Sequence, residues 1–212
     1  MDITFLGHAS FKLKGKTTSL VTDPYDPSIG LKYPKVEADI VTISHDHPDH
    51  NAASQVGGTP FIVSGPGEYE IKSVKIIGVG SFHDDKKGTL RGKNTIYNIK
   101  IDELMVCHLG DLGQTVLTDD QLEQIGQVDI LLIPVGGFYT IDAGGAAKIT
   151  ASLEPKVVIP MHYAEELVNS KLEPANKFLK EMGVERSEPL SKLSINREKL
   201  PEELAVSLLS KI

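Results

Sequence analysis

The sequence feature that most constrains the fold is a cluster of metal-binding residue types directly after a short apolar run. Residues 44–50 read Ser-His-Asp-His-Pro-Asp-His, and the preceding residues 40–43 are apolar and β-branched, as in a buried strand. Six adjacent positions therefore hold three histidines and two aspartates, out of seven histidines in the whole chain. We interpret this cluster as part of a metal site at a strand end rather than as a polar surface loop.

The spacing within the cluster indicates how its side chains are presented. His45 and His47 are two residues apart, so a locally extended backbone would point both rings to one side. Pro48 fixes a turn before Asp49 and His50. Imidazole and carboxylate ligands suit Zn²⁺, Mn²⁺ or Fe at neutral pH. One short loop cannot supply all the ligands, so others must come from elsewhere in the chain.

The other histidines stand at or near the ends of β-like runs, which is where further ligands are expected. An additional acidic candidate is Asp111, between Gly110 and Gly113, where glycine allows the backbone to approach another group closely. The remaining histidines are His8, His83, His108 and His162.

Hydrophobic patterning predicts two halves that each combine strands and helices. The first half is rich in short β-like runs, and residues 95–107 resemble a hairpin. In the second half, Thr118 and Gln121 form a capping box for a helix that ends at Gly126. Further helices are predicted over 142–151 and 174–182, with strands over 129–134 and 156–160. This order predicts an α/β (α+β) fold with four αββα layers, in one domain spanning residues 1–212.

Composition excludes several classes of protein. No apolar run approaches the ~18 residues of a membrane span. The formal charge of −7 disfavours broad binding to nucleic acid or anionic lipid. Cys107 is the only cysteine, so neither an intrachain disulfide nor a cysteine-based zinc cage can form. Since the first residues do not read as a secretory signal, we expect a cytoplasmic protein.

The order of these motifs resembles the metallo-β-lactamase-fold superfamily. The chain has H-x-H-x-D-H after a strand, then a distant His, a Gly-Asp pair and a late His. The resemblance spans nearly the whole chain, from Leu6-Gly7-His8-Ala9-Ser10 and Thr22-Asp23-Pro24 to Met161-His162-Tyr163. The small single-domain branch similar to L-ascorbate-6-phosphate lactonase is the closest in appearance.

The resemblance implies a binuclear site of two divalent cations, foremost zinc, with manganese or iron as alternatives. Asp111 would bridge the two cations, and Asp49 would also act in catalysis by orienting a water molecule. Asp23 would support the ligand loop. The first cation would be held by His45, His47 and His83, and the second by Asp49, His50 and His162.

Some roles stay open at this point. We prefer His83 over His108 as the mid-chain ligand, because the family places that ligand on a separate strand well before the Gly-Asp element. His8 could contact substrate or belong to the core, and Tyr139 could line the cleft or belong to an ordinary loop. The basic residues after His83 could steer an anionic substrate or form a solvated loop; they are Lys86, Lys87, Arg91 and Lys93.

The expected function is hydrolysis of a small ester, lactone or phosphodiester by a metal-bound hydroxide. The alternatives are a nuclease and a non-hydrolytic metal-binding or redox protein. The acidic charge disfavours the nuclease, and 212 residues leave little room for an extra RNA-binding or flavin domain. The expected partner is a small-molecule substrate, with an anionic one left open. Homo-oligomerisation is also left open.

Overall fold

A computed structural model describes residues 1–165, 171–185 and 187–212. Its helices are α1 (Asp119–Ile125), α2 (Ala143–Leu153) and α3 (Ala175–Glu181), with 3-10 helices at Pro27–Ile29, Ala53–Gln55 and Arg197–Lys199. Its strands are β1 (Asp2–Gly7), β2 (Ser10–Lys14), β3 (Ser19–Thr22), β4 (Val36–Glu37), β5 (Ile40–Ile43), β6 (Val56–Gly57), β7 (Phe61–Ser64), β8 (Gly67–Ile71), β9 (Val74–Phe82), β10 (Lys93–Ile101), β11 (Leu104–His108), β12 (Ile130–Pro134), β13 (Val157–Met161), β14 (Leu193–Ser194) and β15 (Ala205–Val206).

The strands form two large sheets and one small one. The first sheet has the order β14-β1-β2-β3-β5-β7, and the second has the order β15-β13-β12-β11-β10-β9-β8. A small separate sheet pairs β4 with β6. Each large sheet combines antiparallel and parallel pairs, with β1-β2-β3 antiparallel and β3-β5-β7 parallel in the first.

The main core lies between the two large sheets. Phe5 and Phe11 of the first sheet are buried in one cluster with Ile99 and Leu132 of the second. A second cluster covers the outer face of the second sheet, where the three helices pack through residues such as Ile149 of α2. Both faces of β12 are therefore buried, which accounts for its continuous apolar sequence.

The outer face of the first sheet is covered differently. Val21 and Val41 pack against Tyr25, Leu31 and neighbouring side chains of the loops that follow β3 and β5. In the described residues, 3-10 helices and the small sheet occupy this position instead of α-helices. The mixed α/β class and the two central sheets are confirmed, and the fourth layer consists mostly of irregular chain.

Local predictions agree with the described elements in most places. The Thr118 capping box forms at α1, and Gly126 ends that helix. The predicted hairpin is β10-β11, and its turn places Asp102 and Glu103 in the left-handed region without any glycine. Strand β8 is not among the predicted strands, because Gly65-Pro66-Gly67 reads as a loop. No helix among the described residues has the length and apolar content to cross a membrane.

One close backbone approach gives a test of this packing. A Cβ atom on Gly113 would collide with the backbone of His83 and Asp84, because the two loops lie against each other. We expect Gly113→Ala to lower the free energy of unfolding by ~1–3 kcal/mol, the usual cost of overpacking. Urea denaturation measures this cost. The matched control is Gly144→Ala, where the new methyl group has space within α2 and is expected to be neutral or slightly stabilising. Equal stability of the two variants would contradict the packing described here.

Candidate metal centre

Strand direction brings the candidate site residues to one edge of the sandwich. In the first sheet β1, β3 and β5 run in the same direction, and in the second sheet β9, β11, β12 and β13 do so. The residue that directly follows a strand therefore lies at this edge in five cases: His8 after β1, Asp23 after β3, Ser44 after β5, His83 after β9 and His162 after β13. Asp111 follows shortly after β11.

The side chains at this edge form two adjacent groups with metal-binding atoms, and a third combination, Asp23, His45 and His50, shares its histidines with them. In each group the potential ligand atoms all lie within 4.8 Å of one another. Nε2 of His45 lies 3.0 Å from Nδ1 of His47. The first group is His45, His47 and His83, and the second is His8, Asp49, His50 and His162.

Asp111 lies between the two groups. Its Oδ2 atom is 3.2 Å from Nε2 of His83, in the first group, and 3.2 Å from Nε2 of His162, in the second. Its Oδ1 atom is 3.3 Å from Nε2 of His50. The carboxylate is almost fully buried, so its polar neighbours are the surrounding imidazoles rather than water.

The 44–50 loop contains the turn predicted at Pro48, but its segment from His45 to His47 is bent rather than extended. Residues 44–50 form bends and a turn, in which the His50 N–H donates to the carbonyl of His47 at 2.9 Å. The Asp26 N–H donates to the carbonyl of Pro48 at 2.9 Å, which fixes the loop from outside. Because the chain bends, His45 presents Nε2 to the cluster while His47 presents Nδ1 to it.

Asp23 organises this loop from beneath. It is fully buried, and its carboxylate accepts a hydrogen bond from the Ser44 N–H at 2.8 Å and pairs with Nδ1 of His50 at 2.9 Å. The Ser44 hydroxyl lies 2.9 Å from Nδ1 of His45. The nitrogens that face away from Asp111 are thereby fixed in both rings, which sets the orientation of the nitrogens that face it.

Asn94 is a functional residue that the sequence analysis missed. Its Oδ1 accepts from the Asp111 N–H at 3.0 Å, and its amide donates to the Leu109 carbonyl at 2.9 Å. Gly110 has a φ of +55°. A Cβ atom at this position would collide with Oδ1 of Asn94 and would lie 2.6 Å from Cβ of Ser44, so glycine leaves the space that the Asn94 contact needs. A lone asparagine within a strand carries no sequence signal for such a role.

The two histidines left open by the sequence occupy different environments. His108 is fully buried, with Nε2 2.8 Å from the Ala9 carbonyl and Nδ1 accepting from the Gly110 N–H at 3.1 Å. Both of its ring nitrogens are thus engaged by the backbone. His8 instead belongs to the second group, with Nε2 3.2 Å from Oδ2 of Asp49.

Three non-glycine residues at this edge have a left-handed backbone conformation. His8, Asp23 and His162 have φ values of 57°, 38° and 51°, in the left-handed region that non-glycine residues rarely adopt. The His162 N–H also donates to the His8 carbonyl at 2.8 Å, so two of these residues hold each other across the two sheets. Strain of this kind persists where the surrounding structure enforces it, which is common at functional sites.

Burial keeps the rings of His8 and His45 neutral. Burial, reinforced by nearby histidines, lowers the pKa of His45 to about 3 and the pKa of His8 to about 4. Burial also opposes a charge on His50, but the carboxylates of Asp111 and Asp23 outweigh it and raise the pKa of His50 well above its usual value. Asp111 has a pKa well below its usual range, because His162 and His50 counteract the effect of burial. Neutral imidazole and ionised carboxylate are the forms that bind a metal ion.

Unsatisfied buried atoms provide a further test of whether a metal fits. Nε2 of His50 and Oδ1 of Asp111 have no hydrogen-bond partner among the described residues, although they face each other at 3.3 Å. Once His50 has lost its proton, the lone pair on its Nε2 and the lone pair on Oδ1 of Asp111 face each other, and a cation would satisfy both. Nitrogens bound to one zinc ion lie ~2.0–2.1 Å from it, so the 3.0 Å between His45 and His47 suits a shared ion. The donor set therefore fits divalent cations.

A cavity of about 290 Å³ opens onto this cluster. Arg91 and Tyr139 line it, whereas Lys86 is 63% exposed and pairs with Asp85. Of the basic run after His83, only Arg91 reaches this cavity in the described part of the chain. The other lining residues are His47, Asp49, His83, Asp111 and His162.

Comparison with known proteins agrees with this arrangement. Residues 2–162 match the β-lactamase superfamily domain. A metal-dependent hydrolase of the UPF0173 family from Thermococcus onnurineus is 32% identical over 192 residues, which cover 77% of this chain and 84% of the relative. A Thermotoga maritima structure, described as a candidate zinc-dependent hydrolase of the metallo-β-lactamase superfamily, is 39% identical, with a TM-score of 0.81 and 99% of each chain covered.

A more distant structure shows the fold alone. It is a metallo-hydrolase from Ignicoccus hospitalis, with 20% identity, a TM-score of 0.65, and 92% of this chain and 99% of the neighbour covered. The predicted likeness to the ascorbate-6-phosphate lactonase branch stays a prediction. The superfamily itself is confirmed, and the chain belongs to the β-lactamase superfamily, among its metal-dependent hydrolases.

Proposed function

We propose that this protein hydrolyses a small ester, lactone or phosphodiester at a binuclear metal centre, with Asp111 as the bridging ligand. The observation that supports this proposal most strongly is the position of Asp111, whose Oδ2 lies 3.2 Å from both His83 and His162. A carboxylate between two histidine groups can hold two cations close together and offset their repulsion. The first cation would be held by His45, His47 and His83, and the second by Asp49, His50 and His162. Asp111, which contacts histidines of both groups, would be common to both.

Zinc is the proposed metal, because sets of three histidines are common at catalytic zinc sites. Manganese and iron are the alternatives, because imidazole and carboxylate ligands suit them as well. When bound, two such cations supply Lewis-acid activation of the substrate and of a water nucleophile at neutral pH. The cavity of about 290 Å³ is compatible with a small substrate. We further propose one domain over residues 1–212 and a cytoplasmic location.

Asp49 is the proposed catalytic residue. Its side chain is 32% exposed and lines the cavity, and its Oδ2 is held 3.2 Å from Nε2 of His8. A carboxylate fixed on one side can orient a water molecule and accept its proton on the other. His8 thereby acquires a positioning role. Among the alternatives, the family assignment favours hydrolysis over a non-hydrolytic role, and the charge of −7 disfavours a nuclease.

The decisive experiment changes the bridging carboxylate. We expect the wild-type protein to contain nearly two transition-metal ions per chain, and Asp111→Asn to contain nearly one. The amide keeps the shape of the carboxylate but removes the charge that offsets cation repulsion. Hydrolysis of model esters and phosphodiesters should fall by orders of magnitude, because one ion cannot stabilise both the attacking and the leaving oxygen.

Metal content, activity and circular dichroism are measured on the same preparation of the variant. Retained secondary structure separates loss of the site from loss of the fold. Two metals and normal turnover in Asp111→Asn would overturn the bridging role. A wild-type protein that takes up no Zn²⁺, Mn²⁺ or Fe²⁺ would overturn the metal centre as a whole.

A second prediction separates His83 from His108. His83→Ala should lose most of the metal of the first group while keeping its fold, because Nε2 faces Asp111 at 3.2 Å. His108→Ala should keep its metal content but lose ~2–4 kcal/mol of stability, because it leaves a cavity and two unpaired backbone groups. Elemental analysis and urea denaturation of both variants test this. If His108→Ala loses the metal, the two roles must be exchanged.

A further inference from the structure

The loop between β9 and β10, residues 83–92, is built around a buried carboxylate. Asp84 is 3% exposed, and its Oδ1 accepts from the N–H groups of Lys86 at 2.8 Å and Gly88 at 2.9 Å. Its Oδ2 accepts from the N–H groups of Leu90 at 2.9 Å and Arg91 at 2.8 Å. One side chain therefore fixes the whole loop, and its last bond fixes the backbone of Arg91.

The conformation of this loop is maintained at neutral pH. Burial opposes the charge on Asp84, but the four backbone donors outweigh it and lower its pKa to about 2. The loop also contacts the Asp111 turn, because Gly113 lies against the backbone of His83 and Asp84. Arg91 is thus attached to the same framework that positions two proposed metal ligands.

The guanidinium of Arg91 has unused hydrogen-bonding capacity. Its Nη2 donates to the Phe138 carbonyl at 3.1 Å, and its central carbon lies 5.8 Å from the centre of the Tyr139 ring. Within the described residues it forms no salt bridge. An arginine has five N–H donors in a rigid fork, so most of them stay available to a ligand.

Arg91 is also the only lysine or arginine among the described residues that line the cavity of about 290 Å³. It additionally borders a neighbouring depression that also contains Lys93 and Asp46. A cation held in place by a carbonyl and an aromatic ring, without a carboxylate partner in the described chain, suits recognition of an anion. Metal ligation itself does not require such a residue.

We propose that Arg91, with Tyr139 beside it, binds an anionic oxygen group of the substrate, a carboxylate or a phosphate remote from the scissile bond. This inference rests on the proposed function, because the bound group would place the scissile bond of the same substrate over the metal centre. Arg91 would act as a specificity determinant, with the buried Asp84 holding its backbone in position.

The first test compares two esters of equal chain length on the zinc-loaded protein. Mono-4-nitrophenyl succinate carries a terminal carboxylate, and 4-nitrophenyl butyrate carries a methyl group in its place. We expect Arg91→Ala to raise KM for the succinate about tenfold to a hundredfold, as for loss of a charge-assisted hydrogen bond, and to leave KM for the butyrate within about twofold. Binding lost in this way raises KM more than it lowers kcat.

Two further variants control for structural damage. Arg91→Gln keeps a donor for the Phe138 carbonyl but removes the charge, so it should show the same selective loss for the succinate. Lys86→Ala removes a positive charge from the same loop at a position that is 63% exposed, and it should behave as wild type with both esters. Equal losses for the two esters in the Arg91 variants would mean that Arg91 only fastens the loops together, which would overturn the proposal.

Direct binding separates this proposal from the hydrolytic one. Calorimetric titration of the zinc-loaded protein with phenyl phosphate and with benzoate should show about tenfold to hundredfold weaker affinity in Arg91→Gln than in Lys86→Ala. The ligand whose affinity falls more in Arg91→Gln shows whether Arg91 prefers a phosphate or a carboxylate. Unchanged affinity for both ligands would overturn anion recognition. If the wild-type protein hydrolyses neither of these esters nor a model phosphodiester or lactone, the proposed function fails, and the titration still decides the role of Arg91.

Discussion

The geometry of the candidate metal centre depends on one buried interaction, between the carboxylate of Asp111 and the imidazoles around it. An isolated carboxylate in this position would be strongly destabilised, because it is almost completely removed from water. His50, His83 and His162 surround it at 3.2–3.3 Å, and they come from both sheets of the sandwich. The site thus links the two halves of the fold, and its residues contribute to the architecture as well as to the proposed chemistry.

Buried hydrogen bonds hold the backbone and the rings around the candidate ligands in position. Asp23 holds the ligand loop through Ser44 and His50, while Asn94 holds the backbone of Asp111. Neither of these supporting groups faces the cavity. Precise ligand positions therefore rest on buried polar side chains that have fully defined partners, which is the arrangement that metal sites require.

Much of this site was accessible from the sequence. A buried strand followed at once by His45, Asp46 and His47 is typical of a metal site, and glycines beside Asp111 indicate a close backbone approach. The two-sheet core also follows from alternating apolar residues, because such a pattern encodes which face of a strand is buried. The capping box at Thr118 is equally local, and it forms as predicted.

Other features depend on contacts that no local pattern encodes. The outer layer over the first sheet lacks helical periodicity, so its packing through Tyr25 and Leu31 emerges only from tertiary structure. Asn94 and Asp84 act through backbone groups of distant or irregular segments, which composition does not reveal. The 44–50 loop is held in part by the Asp26 N–H of another loop, a tertiary contact that the spacing of His45 and His47 does not encode.

The backbone bond from His162 to His8 has a consequence for the order in which the protein matures. During synthesis the amino-terminal histidines leave the ribosome long before His162 is available to join them. At that stage the 44–50 loop of the first sheet lacks the candidate ligands that the second sheet supplies. Contacts of this long sequence separation form late, because loop closure is entropically costly. The cluster of candidate ligands is therefore complete only once the second sheet has formed.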